Sequence, residues 1–241
     1  MVKDITKISF DQFCFIMELV NNLHTYIHIH FAKDFLKEFL EYAMEYLKEF
    51  SLSEDRRYFK RDKIDKIIKN VQEIMFKIYF ETDVNSKLDN FGIEFGSNCI
   101  KSPILDKQIF GLKIITDTLA EAHKVNSSST TVIEKHIPLS VLLEKIHSLN
   151  ILSFILNAHN EIIKNSSELI RVLLANKALS SEDVERIWTM AQSGDIDKRG
   201  IIYKILNTNS STFSPEVAQH LLVKIMNLPL DKINSYDLEV R

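Results

Sequence analysis

The chain has 241 residues, of which 45% are hydrophobic and 26% charged, and its formal net charge is −3. The near-neutral charge argues against nucleic acid or an anionic membrane as a partner, because neither would meet a strong opposing field. The chain contains only five glycines and four prolines, whereas sheet-rich and α/β enzymes need many glycine-bearing turns. The composition therefore predicts a soluble all-α protein with short connections.

The two cysteines, Cys14 and Cys99, lie among apolar neighbours and far apart in the sequence. This spacing does not indicate a disulfide framework, and reduced thiols are typical of the cytosol and nucleus. The N-terminus has no signal-peptide pattern, and no apolar run reaches the ~20 residues of a membrane span. We therefore expect a cytoplasmic or nuclear protein without membrane contact.

An N-terminal region, residues 1–125, carries apolar residues with a helical period. One of its helices bears an aromatic stripe, which is more typical of a protein core than of a cofactor site. The stripe consists of Phe31, Phe35, Phe39, Tyr42, Tyr46 and Phe50. The predicted helices of this region are 10–28, 31–50, 64–78 and 105–124.

Two stretches of this half of the chain are predicted to be non-helical. Between residues 81 and 103 the period fails and turn-formers accumulate, including Gly92, Gly96 and the pair Asp89-Asn90. We expect a loop of about twenty residues there, which is longer than compact domains usually keep. The run Asn126-Ser127-Ser128-Ser129-Thr130-Thr131 predicts a mobile linker.

The third region, residues 132–241, is predicted to contain short helices. The clearest begins after Ser180, an N-cap with Asp183 three residues later, and ends at Gly194. Its apolar stripe includes Trp188, the only tryptophan of the chain, which we expect to be a buried anchor. Asn150 is predicted to cap a helix, and Ser214-Pro215 indicates another helix start. The other predicted helices are 139–149, 151–156, 161–174 and 197–206.

Helices of about three turns in antiparallel succession cannot each hide an apolar face alone. We therefore expect them to stack as an armadillo- or HEAT-like α-solenoid of about ten helices. The alternative is a compact helical bundle.

Candidate chemistry is sparse in the sequence. His24 and His28 have the i, i+4 spacing that lets two imidazoles share a metal, but no acid follows His24 as it would in a metalloprotease helix. Cys99 follows Gly96-Ser97-Asn98, as a nucleophile would, yet no His-bearing α/β scaffold follows it. We therefore predict no catalytic, cofactor-binding or metal-binding residues.

An ordered set of segments lies between residues 148 and 221. The segments are Ser148-Leu149-Asn150-Ile151-Leu152, His159-Asn160-Glu161-Ile162-Ile163-Lys164, Lys177-Ala178-Leu179-Ser180-Ser181-Glu182-Asp183-Val184, Ile187-Trp188 with Ala191-Gln192, and Phe213-Ser214-Pro215-Glu216 with His220-Leu221. Together they resemble the N-terminal helical-repeat region of the giant ubiquitin-specific proteases, the fat-facets-type deubiquitinases. Phe110–Ile115 resembles the helix that precedes this block in the family. The residues taken as its structural anchors are Leu149, His159, Leu179, Ser180, Ile187, Trp188, Pro215 and Leu221.

The resemblance covers the non-catalytic helical repeats and includes none of the protease's catalytic residues. It implies a scaffold segment of a large ubiquitin carboxyl-terminal hydrolase that binds ubiquitinated substrates or adaptors. The alternative is a stand-alone armadillo-like adaptor with no peptidase domain. A third hypothesis is a helical enzyme with a histidine-bound metal near His24.

Overall fold

The structure is a computed structural model that describes residues 8–23, 26, 29–53, 59–78, 84–127, 137–192 and 195–228. All regular elements in these ranges are helical, so the predicted all-α class is confirmed. The chain forms two compact units, Met1–Leu142 and Leu143–Arg241.

In its described residues, the first unit contains five helices and the start of a sixth. Helix α1 packs on α3, and the long helix α2 packs on both α3 and α4. The sixth helix, α6, runs across the division between the units. The bounds are α1 Phe10–Leu23, α2 Ile29–Leu52, α3 Arg61–Ile78, α4 Val84–Ile100, α5 Leu105–Ser127 and α6 Leu139–Ser148.

The division of the chain falls after Leu142, later than the predicted linker 126–131. One reason is that α5 continues through part of that tract, to Ser127. Another is that the backbone N–H of Ile137 donates to the Asp89 carboxylate of α4 over 2.9 Å. Residues on both sides of the Ser/Thr tract therefore belong to the first unit.

The predicted loop 81–103 is wrong for residues 84–100, which form α4. Eleven of its 17 residues are buried, so the helix is covered on nearly every side and shows no apolar stripe in the sequence. Its glycines serve helix packing instead of turns. A Cβ placed on Gly96 would lie 2.8 Å from the carbonyl oxygen of Gly111 in α5, and one placed on Gly111 would lie 2.5 Å from that of Gly96. The backbones of α4 and α5 therefore touch.

The aromatic stripe of α2 lies along the edge of the core instead of inside it. Phe39 is buried, but Phe35 is 54% exposed and Tyr42 is 37% exposed, so this part of the prediction is wrong. The side chain of Phe31 lies outside the described residues. The buried line of α2 is instead aliphatic, because α3 and α4 cover a neighbouring face of the helix. Its members are Leu36, Leu40, Ala43 and Leu47.

The second unit has short helices whose starts follow the predicted signals in two cases. Ser180 and Asp183 form a capping box, with the Ser180 hydroxyl accepting from the Asp183 N–H at 3.1 Å. Ser214 caps the last helix by accepting from the Val217 N–H. The bounds are α7 Ile151–Asn157, α8 Asn160–Asn165, α9 Ser167–Ala175, α10 Ser181–Ala191, α11 Ile196–Thr208 and α12 Pro215–Met226, with a 3-10 turn at Ser210–Thr212.

Three local predictions for this unit need correction. Asn150 precedes α7 with a left-handed backbone, φ 54°, and its side chain makes no cap hydrogen bond. The predicted helix 161–174 is two helices, which meet at the buried Ser166. Helix α10 already ends at Ala191, and Gly194 lies outside the described residues.

We predict that Gly111→Ala destabilises the protein by ~1–3 kcal/mol, because the new methyl group would meet backbone and Cβ atoms of α4 that cannot rotate away. Gly92→Ala is the comparison variant, since the atom nearest to its Cβ would be Thr118 Oγ1 at 2.5 Å, a side-chain atom that can rotate away at the cost of its hydrogen bond to the Ile114 carbonyl. We expect a smaller loss there, because alanine also favours a helix by about 1 kcal/mol. Urea unfolding followed by circular dichroism measures both variants. Equal stability of the two variants would contradict the contact between α4 and α5.

Candidate functional site

The residues that carry the family resemblance have structural roles in the second unit. Ile187, Trp188 and Leu221 are buried in one apolar cluster, and Leu179 packs against it. Trp188 is only 6% exposed and meets Tyr203 edge to face, with 6.3 Å between the ring centroids. These four side chains therefore stabilise the packing of the helices and do not form an exposed recognition surface.

The remaining anchors lie at helix ends. The His159 imidazole Nδ1 accepts from the Glu161 N–H at 3.2 Å and so caps α8. Ser180 caps α10, and Pro215 occupies the first turn of α12, where the missing N–H costs no hydrogen bond. Leu149 is half-buried just after α6. The set thus combines core packing with helix initiation.

A cleft of about 190 Å³ lies between the C-terminal end of α9 and the N-terminal ends of α10 and α12. Its lining includes Ser181, Lys177 and Glu216. The backbone N–H of Glu216, the Ser214 hydroxyl and the charge of Lys177 hold the pKa of the Glu216 carboxyl below its usual range. This carboxylate already balances the positive helix ends, so the cleft does not call for an anionic ligand.

A surface ion cluster joins α10 to α12. The Glu185 carboxylate accepts from Lys224 Nζ at 2.8 Å and lies 3.1 Å from His220 Nε2. These hydrogen bonds, the one from Lys224 first, lower the pKa of Glu185. The cluster stabilises the contact between two helices, and its solvent exposure makes its contribution small.

Lys107 is a buried cation that the sequence analysis missed. Its Nζ donates to the carbonyl oxygens of Phe50 at 2.8 Å and Ser53 at 2.6 Å, so it closes the C-terminal end of α2. Burial lowers the pKa of the Lys107 ammonium. Because both carbonyls lie at the C-terminal end of α2, this lysine acts as a structural cap of that helix.

Cys99 cannot act as the nucleophile that its neighbours suggested. Its side chain is fully buried, and burial raises the pKa of the thiol to about 12. Only about one molecule in 10⁵ would carry the reactive thiolate at pH 7. The Gly96-Ser97-Asn98 segment before it is helical and packs against α5, so it forms no loop around a substrate.

The histidine pair His24 and His28 lies outside the described residues. In the described ranges, no group of three His, Cys, Asp or Glu side chains is arranged to hold a metal ion. No single helix in those ranges is long and apolar enough to cross a bilayer. The bent pair α6 and α7, which meet at 55°, reaches the required length and composition only when taken together.

Comparison of the chain with protein-family models, curated proteins and solved structures finds no match.

We predict that Trp188→Ala lowers the free energy of unfolding by ~3–5 kcal/mol, because it removes a large buried ring from the core of the second unit. Phe154→Ala is the control, since Phe154 is 44% exposed. Guanidinium unfolding followed by circular dichroism measures both. A loss under ~1 kcal/mol for Trp188→Ala would mean that the indole is not part of the core.

We also predict that a thiol reagent modifies Cys14 but not Cys99 in the folded protein. Burial raises the pKa of the half-buried Cys14 as well. The rate at which the reagent modifies Cys14 should therefore rise about tenfold between pH 7 and 8, as more thiolate forms. The Cys14→Ser variant isolates Cys99, which should react only after urea is added. Rapid modification of that variant without urea would disprove the burial of Cys99.

Proposed function

We propose that this chain is a non-catalytic α-helical-repeat scaffold of a large ubiquitin-specific protease. In this proposal, short helices stack as an armadillo-like α-solenoid and hold ubiquitinated substrates or adaptors near a catalytic domain that these 241 residues do not include. The protein would work in the cytoplasm or nucleus, and its partners would be proteins.

One observation supports the proposal most. The segments between residues 148 and 221 that resemble the family take complementary structural roles: Trp188 and Leu221 enter one core, while Ser180 and Pro215 start adjacent helices of the unit. A segment that supplies both core residues and helix caps is suited to building a helical repeat.

Small-angle X-ray scattering on the full chain tests the solenoid. A compact domain of this length would have a radius of gyration of about 18 Å, and we expect a clearly larger value because stacked repeats extend in one direction. A value near 18 Å would favour the compact bundle instead.

The coding sequence tests the protease parent. We expect the transcript to continue beyond the codon for Arg241 into a cysteine box and a histidine box of a ubiquitin-specific protease. A stop codon directly after Arg241 would favour the stand-alone adaptor. Thiol-dependent cleavage of a ubiquitin conjugate by the 241 residues alone would overturn both interpretations.

A further inference from the structure

Helix α1 is apolar on two opposite faces. Phe10, Phe13 and Met17 are buried in the core of the first unit. Leu19 lies nine residues after Phe10, which is two and a half turns and therefore the opposite side of the helix. On that side Phe15 is 68% exposed, Leu19 45% and Leu23 46%.

Helix α2 continues this apolar surface. The ring of Phe10 stacks on Phe50 at 4.4 Å, and that of Phe13 stacks on Tyr46 at 4.1 Å. The order of the two stacks is antiparallel, with the start of α1 beside the end of α2. We extend this order along both helices, matching each step along α1 with one step back along α2.

This alignment places Leu19 near the level of Tyr42, and Leu23 near the level of Phe35. Phe35 and Tyr42 are the exposed members of the described part of the aromatic stripe, and they lie on the same edge of α2 as Tyr46. We call Phe15, Leu19, Leu23, Phe35 and Tyr42 the outer strip. Its exposed apolar area is roughly 400 Å², the size of the largest apolar patch on a typical monomer, and such patches are often functional.

A row of exposed carboxylates runs along α2 beside the outer strip. Their spacing of four, three, four and four residues keeps them on one side of the helix. The lysine of α2 nearest its C-terminal end, Lys48, instead pairs with Glu94 of α4 over 2.7 Å. The acidic residues of the row are Asp34, Glu38, Glu41, Glu45 and Glu49.

The acidic residues of α1 do not widen this row. Asp11 pairs with Lys63 at 2.6 Å and Glu18 pairs with Lys66 at 2.9 Å, both on α3. On its α2 side the outer strip is therefore flanked by five carboxylates, against which the same stretch of α2 sets Lys33 and Lys37, so the net charge there is acidic.

We propose that the outer strip binds an amphipathic helix of a partner protein that carries Lys or Arg along one side of its apolar stripe. The apolar side chains would supply contact area and the carboxylate row would fix the orientation of the helix. This inference rests on the proposed scaffold role and specifies the chemistry of its partner.

The carboxylate row disfavours two other occupants. In a two-fold dimer each copy presents the same surface, so a second copy of this chain would bring carboxylates against carboxylates. An anionic bilayer would likewise repel the row. A basic helix is the occupant for which apolar contact and charge both contribute to binding.

Fluorescence anisotropy with the full chain and two labelled synthetic peptides tests the proposal. One peptide is a Leu/Lys amphipathic helix of about 18 residues, and the other is the same helix with each Lys replaced by Glu. We expect the Leu/Lys peptide to bind at least tenfold more tightly, and its affinity to fall as salt is added.

Three variants locate the binding. Leu19→Ser with Phe35→Ser should weaken binding of the Leu/Lys peptide at least tenfold, because it removes apolar contact. Glu38→Lys with Glu41→Lys and Glu45→Lys should reverse the preference between the peptides. Leu222→Ser with Val223→Ser on α12 is the matched control, since both residues are about half exposed and should leave binding unchanged.

Equal affinity for the two peptides, or full binding by the Leu19→Ser, Phe35→Ser variant, would overturn the proposal. Dimerisation in sedimentation velocity that this variant abolishes would assign the strip to a second copy, and strip-dependent binding to phosphatidylserine vesicles would assign it to a membrane. None of these results tests the protease-scaffold proposal, which depends on the coding sequence after Arg241. A stop codon after Arg241 would remove that parent without changing peptide binding.

Discussion

The contact between the backbones of α4 and α5 organises the first unit. Gly96 and Gly111 leave no room for a side chain where the two helices cross, so the helices approach more closely than side-chain packing normally allows. This approach lets α4 sit inside the unit and present buried residues on several sides. Cys99 is enclosed at the same crossing, and this burial raises the pKa of its thiol although its sequence neighbours are those of a nucleophile.

Polar groups that the compact unit encloses are used to fasten chain segments. Lys107 donates to two carbonyl oxygens that lie 57 and 54 residues earlier, and Asp89 accepts from a backbone N–H 48 residues later. Each of these buried side chains forms hydrogen bonds with backbone groups, and these bonds offset the cost of burying its charge. In the second unit, side chains likewise form hydrogen bonds with backbone groups at helix ends, as Ser180 and His159 do at the starts of α10 and α8.

The sequence predicted those features whose cause lies within a few residues. The capping box of Ser180 with Asp183 and the Ser214-Pro215 start depend on a single helical turn, and both are present. Helix α4 was missed because its glycines satisfy a contact with a later helix, and burial on many sides removes its period. The exposure of Phe35 and Tyr42, two members of the outer strip, was also not predicted. The positions of α1, α3 and α4 decide which edge of α2 is covered, and the sequence of α2 alone does not contain them. The role of Lys107 depends on carbonyl groups too distant in the chain for any local pattern to reveal.

The hydrogen bond from the Ile137 N–H to the Asp89 carboxylate bears on how much the length of the Ser/Thr tract can vary. Helix α5 and Ile137 both belong to the first unit, so the connection between them begins and ends within one unit. The entropy of closing a loop grows only slowly, and doubling its length costs about 0.6 kcal/mol. Insertions and deletions in this tract should therefore accumulate freely among related genes while the α4–α5 crossing stays fixed.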